Sequence, residues 1–247
     1  MLIVNADDVG ASRSATDPAL AAYDDGLLTS ASAMVWMRDS RRAAELARER
    51  GMPLGLHLNL TLPFNGDQVP PGPRALQHEL TGEFDAGSWH EDVAPTEDDR
   101  RIRAAIAHQL SAFRAVFGEP THVDGHHHVH VHPAVMACLP RELPVRPVLH
   151  SPGQLGKRGP RERTLQRLFR GPDECVSFRH VHPALGGAGM DVLGFARNRV
   201  LEVMVHPQLD DERQALHDPE WAEAMASHEL GSYRDLAAAA APRGRRA

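Results

Sequence analysis

The sequence has few cysteines, few aromatic residues and no long apolar run, and each shortage narrows the classes of protein to consider. Two cysteines, Cys138 and Cys175, are too few for a disulfide framework and form no C-x-x-C motif. Aromatic residues make up 5% of the chain, which leaves little material for stacking nucleic-acid bases. The apolar run at the N-terminus is too short for a signal peptide or a membrane span. We therefore expect a cytoplasmic protein with neither a membrane nor a nucleic acid as partner.

The net charge gives no indication of a nucleic-acid partner, and the chain length is consistent with a single domain. The net charge is −6, and basic residues concentrate only in the last few positions, Arg243, Arg245 and Arg246, as is typical of a solvated terminus. A chain of 247 residues can bury a sizeable core without disulfides or a structural metal. We expect one domain spanning residues 1–247.

Short apolar segments alternate with amphipathic ones along much of the chain, which predicts βα units and a mainly parallel sheet. Strands are predicted at Leu2–Ala6, Leu27–Trp36, Pro53–Leu60, Thr121–Asp124 and Leu201–Val205, and helices near Pro18–Asp25, Asp39–Arg50, Glu97–Phe117, Arg161–Phe169, 219–227 and 232–241. Residues 61–97 break this pattern with prolines, glycines and acids, and we interpret them as an irregular insertion or lid.

Histidine is the unusual component, with sixteen in the chain and six of them between residues 122 and 132. Three predicted strands end in ligand-type residues: Asp7 and Asp8, then His57, then Asp124 with His126. The carboxyl ends of parallel strands meet at one edge of a sheet, so these groups should converge. One aspartate and two histidines suit Zn²⁺, Mn²⁺, Fe²⁺ or Co²⁺, and suit Mg²⁺ less well because it prefers oxygen.

The residue pattern alone leaves the ligand set open. An isolated Asp-Asp pair often caps a helix, and a histidine in an apolar strand is often a hydrogen-bonded interior residue. The pattern therefore predicts a metal site between Asp7–Asp8 and the histidines near 57 and 126–132, without choosing the acid or the histidines. Six histidines cannot all bind one ion, so the others are expected to support the ligands by hydrogen bonding or to contact substrate.

Six segments, in order along nearly the whole chain, carry a resemblance to a known family. They are LIVNADDVG at 2–10, GLLTSASAMV at 26–35, GLHLNLT at 55–61, PTHVDGHHHVHVHP at 120–133, LEVMVHP at 201–207 and LGSYRDL at 230–236. With these motifs the chain resembles the YdjC-like carbohydrate deacetylases, and most of all their chitooligosaccharide (diacetylchitobiose) deacetylase branch. The resemblance implies a single-domain α/β fold of the variant (β/α) TIM-like barrel type.

The resemblance also implies roles for individual residues. Asp8, His57 and His126 would hold one divalent metal ion, Mg²⁺ or Zn²⁺, with Mn²⁺, Fe²⁺ and Co²⁺ as further candidates. Asp7 would be the general base, and His206 the general acid or its partner. The reaction would be removal of an N-acetyl group from a small carbohydrate.

Further expectations concern residues around these roles. Asp124, His128 and His130 would support the ligands or contact the substrate. Several members of the family are dimers, so a homodimer is consistent with the resemblance.

Two departures from the family pattern and three alternative functions stay open. Val9 replaces an aromatic residue, which predicts a changed wall of the site, and Gly125 replaces a serine beside a ligand. Residues 62–95 and 147–199 carry no matching motif, so the sugar is undetermined. The alternatives are deacetylation of another N-acetyl sugar conjugate (lipid-linked or polysaccharide), a non-catalytic histidine-rich metal-binding protein, and a metal-dependent phosphoesterase.

Overall fold

A computed structural model describes residues 1–84 and 100–239. Seven parallel strands form one sheet, in the order β4-β3-β2-β1-β7-β6-β5. The strands are β1 (Leu2–Val9), β2 (Ser30–Ala33), β3 (Leu54–Leu58), β4 (Val123–Gly125), β5 (Leu149–His150), β6 (Glu174–Ser177) and β7 (Leu201–Val205). This order places the first and last long strands side by side at the centre of the sheet.

Helices connect the strands and flank the sheet. They are α1 (Arg13–Asp24), α2 (Ser40–Glu49), α3 (Pro71–Glu83), α4 (Arg100–Phe117), α5 (Pro133–Cys138), α6 (Pro160–Leu168), α7 (Phe178–Val181), α8 (Asp210–Leu216), α9 (Pro219–Ala226) and α10 (Tyr233–Ala239). The described helices lack the combination of length and apolar composition that crossing a membrane requires.

The two faces of the strands differ in polarity. In β1, Leu2, Val4 and Ala6 belong to the apolar cluster that the sheet shares with the helices. The alternate residues Asn5 and Asp7 point to the other face, as the two-residue period of a strand requires. Fully buried polar residues also come from β2, β3, β4 and β7: Ser30, Ser32, His57, Asp124 and Glu202. The concave side of the curled sheet is therefore a buried polar interior.

The parallel α/β class and the flanking helices agree with the sequence prediction. The two edges of the curled sheet approach each other through a parallel bridge between Val123 and Val145. The Val123 amide also donates to Pro144 O (2.8 Å), and the Val145 amide to Arg170 O (2.7 Å). Closure into a complete (β/α) barrel goes beyond this half-barrel and stays a prediction.

Several predicted boundaries need correction. The segment at 61–97 is not irregular throughout, because α3 occupies Pro71–Glu83 and buries Gln77 and Leu80; residues 85–97 lie outside the described part of the chain. The second strand is four residues long rather than ten. Strands β5 and β6 and the short helices α5, α7 and α8 were missed, since segments of two to seven residues carry too few positions to establish a period.

Candidate metal centre

The end of β1 places two acids where the other strands can reach them. The strand continues through Asp7 and Asp8 to Val9, instead of ending at Ala6 as predicted. Its pairing with β2 shifts register between Ala6 and Val9, and Asp8 has a φ of 68°. Aspartate tolerates this left-handed conformation better than most residues. The bulge therefore turns both neighbouring carboxylates toward the polar interior, where regular alternation would separate them.

Asp8, His57 and His126 form a compact set of ligand-type atoms. One nitrogen or oxygen from each lies within 4.8 Å of the others. Asp8 Oδ1 is 3.1 Å from His57 Nε2 and 2.9 Å from His126 Nδ1. One carboxylate and two imidazoles form a mixed oxygen and nitrogen donor set that suits Zn²⁺ and its first-row neighbours. These three residues fit the divalent ion that the sequence predicts.

Electrostatics keep the Asp8 carboxylate ionised. Burial acts to raise the pKa of Asp8, but hydrogen bonds from His126 and His57 hold that pKa well below its ordinary value. Burial acts to lower the pKa of His57, whereas the carboxylates of Asp124 and Asp7 raise it well above the usual histidine value. Ligation of a metal ion through His57 Nε2 requires that nitrogen to be free of a proton, so a metal ion and a proton would compete for it.

Asp124 contacts Nδ1 of His57, whereas Asp8 contacts Nε2 of the same ring. Asp124 Oδ1 accepts a hydrogen bond from His57 Nδ1 at 2.8 Å, and its Oδ2 accepts one from the Ser32 hydroxyl at 2.5 Å. His57 on β3 and Asp124 on β4 are paired in the strand register, which places them side by side. A carboxylate on the far nitrogen fixes the tautomer and orientation of a ligating histidine. This geometry is the one expected of a residue that supports the ligands.

A fully buried arginine from outside the predicted site lies beneath the cluster. The Arg146 guanidinium donates to both carboxylate oxygens of Asp7, at 2.7 and 2.6 Å, and lies 2.7 Å from Asp124 Oδ2. Its Nε donates to Glu202 Oε1 at 2.8 Å, and the Tyr233 hydroxyl donates to the other Glu202 oxygen. Burial acts to lower the pKa of Arg146, but the three carboxylates raise it well above its ordinary value.

The arginine distinguishes the two acids of the Asp-Asp pair. Asp7, His57 and Asp124 also lie within mutual ligand distance, but Asp7 and Asp124 already share the Arg146 cation. Burial acts to raise the pKa of Asp7, and the Arg146 charge more than offsets this and lowers it. Asp8 instead contacts two imidazoles and the Gln208 amide. The charge balance favours Asp8 over Asp7 as the metal ligand.

A cavity of about 310 Å³ opens above these residues. Its walls include the predicted acid His206, which is 28% exposed and lies 4.0 Å from Glu212 Oε2. The remaining lining residues are Asp7, His57, Gly125, His126, His127 and His128. The cavity is thus lined by two predicted ligands, His57 and His126, by the predicted base and by the predicted acid. The third predicted ligand, Asp8, contacts both of these histidines. Val9, which was expected to alter a wall of the site, packs instead in the apolar core.

The turn after β4 separates the clustered histidines. A 3-10 helix at His126–Val131 contains two residues with left-handed φ, 52° at His127 and 58° at His128. A Cβ at Gly125 would lie 2.8 Å from Val129 Cγ1 and 2.9 Å from the backbone nitrogen of His130. Glycine at this position therefore permits the close turn rather than simply removing a serine hydroxyl.

His130 lies inside the protein rather than at the cavity wall. It is fully buried, and neither ring nitrogen has a hydrogen-bond partner among the described residues. Burial lowers the pKa of His130 to about 3. His128 lines the cavity, and burial lowers its pKa to about 4. Of the two histidines assigned supporting or substrate-binding roles, only His128 is placed to touch a ligand directly.

The free energy of unfolding should decrease as the pH is lowered, because of His130. An unfolded-state histidine titrates near 6.5, so below that pH the unfolded chain binds a proton that folded His130 does not bind until pH 3. Between pH 6.5 and 5, this difference lowers the unfolding free energy by about 2 kcal/mol. In urea unfolding of the metal-free protein, His130→Leu should lose this part of the pH dependence, and exposed His108→Leu should keep it. Parallel pH dependences for wild type and His130→Leu would contradict the assignment.

Sequence patterns missed Arg146 and Glu202. Arg146 lies in the segment PVRPVLH, which has no motif and little periodicity. Glu202 carried a usable signal, because a charged residue in the apolar strand LEVMV must be buried with a partner. The partner could not be identified, since 56 residues separate the two.

Comparison with known proteins gives the family. The model of the YdjC-like protein family matches residues 1–243, and the chain belongs to this family. Proteins named chitooligosaccharide deacetylase from Salmonella paratyphi B and Salmonella typhi are each 37% identical to the chain over 143 residues. These matches cover 57% of this chain and 54% of each relative. The chain thus spans about half the length of the curated relatives it matches.

A solved structure supports the fold. The crystal structure of a protein from Enterococcus faecalis V583, for which cellobiose-phosphate cleavage has been proposed, superposes with a TM-score of 0.70. The superposition covers 95% of this chain and 98% of the other, at 23% sequence identity. At this identity the likeness concerns the arrangement of strands and helices.

Proposed function

We propose that this protein is a metal-dependent carbohydrate deacetylase. The proposed substrate is an N-acetylglucosamine-containing oligosaccharide of the chitooligosaccharide or diacetylchitobiose type, and the products are acetate and a free amine. The observation that carries the proposal is the convergence of Asp8, His57 and His126 beside a cavity that the two histidines and Asp7 line. The names of the relatives support the same reaction class.

In this proposal Asp8, His57 and His126 hold the metal ion. The chemistry that a divalent ion supplies there is activation of water and polarisation of the acetamide carbonyl. Asp124 keeps the His57 ring oriented through the 2.8 Å hydrogen bond to Nδ1. The Arg146 contacts keep Asp7 ionised and outside the ligand set.

Two groups move protons. Asp7 accepts the proton of the attacking water, because its carboxylate lines the cavity and its oxygens retain acceptor capacity beside the bonds from Arg146. The C–N bond of the acetamide then breaks, and His206 donates a proton to the departing amine. His128 contacts the bound sugar from the cavity wall. His130, buried beneath the wall, supports the turn.

Acetate release from N-acetylated sugars, with and without chelator, tests this function. We expect diacetylchitobiose to yield acetate and free amine in equal amounts. Chelation should stop the reaction, and adding back Zn²⁺, Mg²⁺, Mn²⁺ or Co²⁺ in turn should identify the ion that restores it. Exposed His108→Ala serves as a control for the handling of variants.

A wider panel separates the proposal from its competitors. Preferential acetate release from an N-acetylated polysaccharide or lipid-linked sugar would keep the reaction and replace the substrate. Absence of acetate from every N-acetyl sugar would overturn the proposal. Full turnover in protein shown by elemental analysis to contain no metal would overturn the metal-dependent mechanism.

A further inference from the structure

The second oxygen of the Asp8 carboxylate has its own partner. Gln208 Nε2 donates to Asp8 Oδ2 at 2.8 Å, while Asp8 Oδ1 faces the two imidazoles of His57 and His126. Gln208 lies 200 residues from Asp8 and follows β7 rather than β1. It has no place in the ligand set or in the proton transfers described above.

The turn that carries Gln208 is firmly held. The Leu209 amide donates to His206 O at 2.9 Å, which closes a tight turn over residues 206–209. The His206 amide donates to Glu212 Oε2 at 2.7 Å, and Arg179 Nε lies 2.8 Å from the other oxygen of buried Glu212. These contacts therefore fix the backbone around Gln208 in the position from which its side chain reaches Asp8.

Gln208 Oε1 adds a second observation. This oxygen is buried and has no hydrogen-bond partner among the described residues. The side-chain hydrogen bond of Gln208 is therefore the one that its NH₂ group donates to the Asp8 carboxylate. A hydrogen bond to a charged acceptor is stronger than one between neutral groups. Ligating carboxylates are commonly held in this way, and losing the outer partner costs metal affinity.

We propose that Gln208 is a positioning residue for the metal ion. By holding Asp8 Oδ2, it leaves Oδ1 directed between His57 and His126, where it would be the oxygen available to a metal ion. The same turn carries His206, so the β7–α8 connection both supports the metal centre and supplies the proposed acid. This inference rests on the metal centre of the proposed function.

Zn²⁺ affinity measured by competition with a chromophoric chelator tests the proposal without using turnover. We expect Gln208→Ala and Gln208→Met each to weaken Zn²⁺ binding by about 10- to 100-fold. Methionine matches the length of glutamine but cannot donate to Asp8. The matched control is Gln214→Ala, an exposed glutamine on α8 that should bind Zn²⁺ as the wild type does.

The outcomes separate this inference from the proposed function. Wild-type Zn²⁺ affinity in Gln208→Met would overturn the positioning role, even if Gln208→Ala bound more weakly, because the hydrogen bond would then be dispensable. A lower unfolding free energy of the metal-free variants with unchanged affinity would assign Gln208 a structural role and also overturn the proposal. Failure of the wild type itself to bind Zn²⁺ would overturn this inference, whereas the proposed function, which admits other divalent ions, would still be decided by the acetate assay.

Discussion

Replacing His126 or His57 with alanine is expected to remove the bound metal ion and to lower deacetylase turnover by about 10³-fold or more, since several kcal/mol of transition-state stabilisation come from such an ion. His126 is the cleaner test. It is only partly buried, and its hydrogen bond is to Asp8. His57 is buried between Asp8 and Asp124, so its loss also removes a contact from each of these two carboxylates. Elemental analysis and acetate release measure the two effects separately.

Asp7→Asn provides the contrast within the same site. Asparagine cannot accept the proton from water, so we expect a large loss of turnover with one metal ion per chain retained. Loss of the metal in this variant would exchange the roles of Asp7 and Asp8. Full metal content and full turnover in either histidine variant would show that the ligand assignment is wrong.

Arg146→Met is expected to destabilise the protein by about 3–5 kcal/mol, the usual cost of removing one partner from a buried ion pair. Arg146 is fully buried and contacts three carboxylates: Asp7, Asp124 and Glu202. Methionine fills much of the same volume but leaves these charges without their cation. Urea unfolding of the metal-free protein at pH 7.5 measures the change.

Two further variants isolate the reason for that loss. Arg146→Lys retains the charge but cannot make the paired bonds to Asp7, so it should be destabilised less than Arg146→Met. Exposed Arg167→Met on α6 should change stability by no more than about 0.5 kcal/mol. An Arg146→Met protein as stable as this control would contradict the role given to the buried charges.

Much of the fold was predictable because local patterns matched their final environment. The strand at Leu201–Val205 agrees with β7 residue for residue, and α2 and α6 agree to within about one residue at each end. The failures have local causes as well. Strand β5 has only two residues, and α3 lies in a segment whose prolines and glycines suggested irregular structure.

The candidate site was predictable in part. The order of Asp7–Asp8, His57 and His126 at strand ends was sufficient to predict convergence, because parallel strands place their carboxyl ends together. The bulge that turns both acids inward was not predictable, since β1 continues through Val9 without a glycine or proline at the shift. Arg146 and Gln208 were missed because their contacts in the site are with residues distant in sequence, Asp7 at 139 positions and Asp8 at 200 positions respectively.

By itself, the sequence determined the class of fold and the family, and it predicted the residues of a candidate metal centre. These properties follow from hydrophobic periodicity, from histidine content and from short motifs, which are local features of the chain. Tertiary structure alone decided how the surroundings of the two neighbouring acids differ. Asp7 and Asp8 are chemically identical neighbours, and they differ because Arg146 neutralises one while two imidazoles and Gln208 surround the other. Electrostatic interactions depend on distance in space rather than along the chain, so the folded sheet had to bring these partners together first.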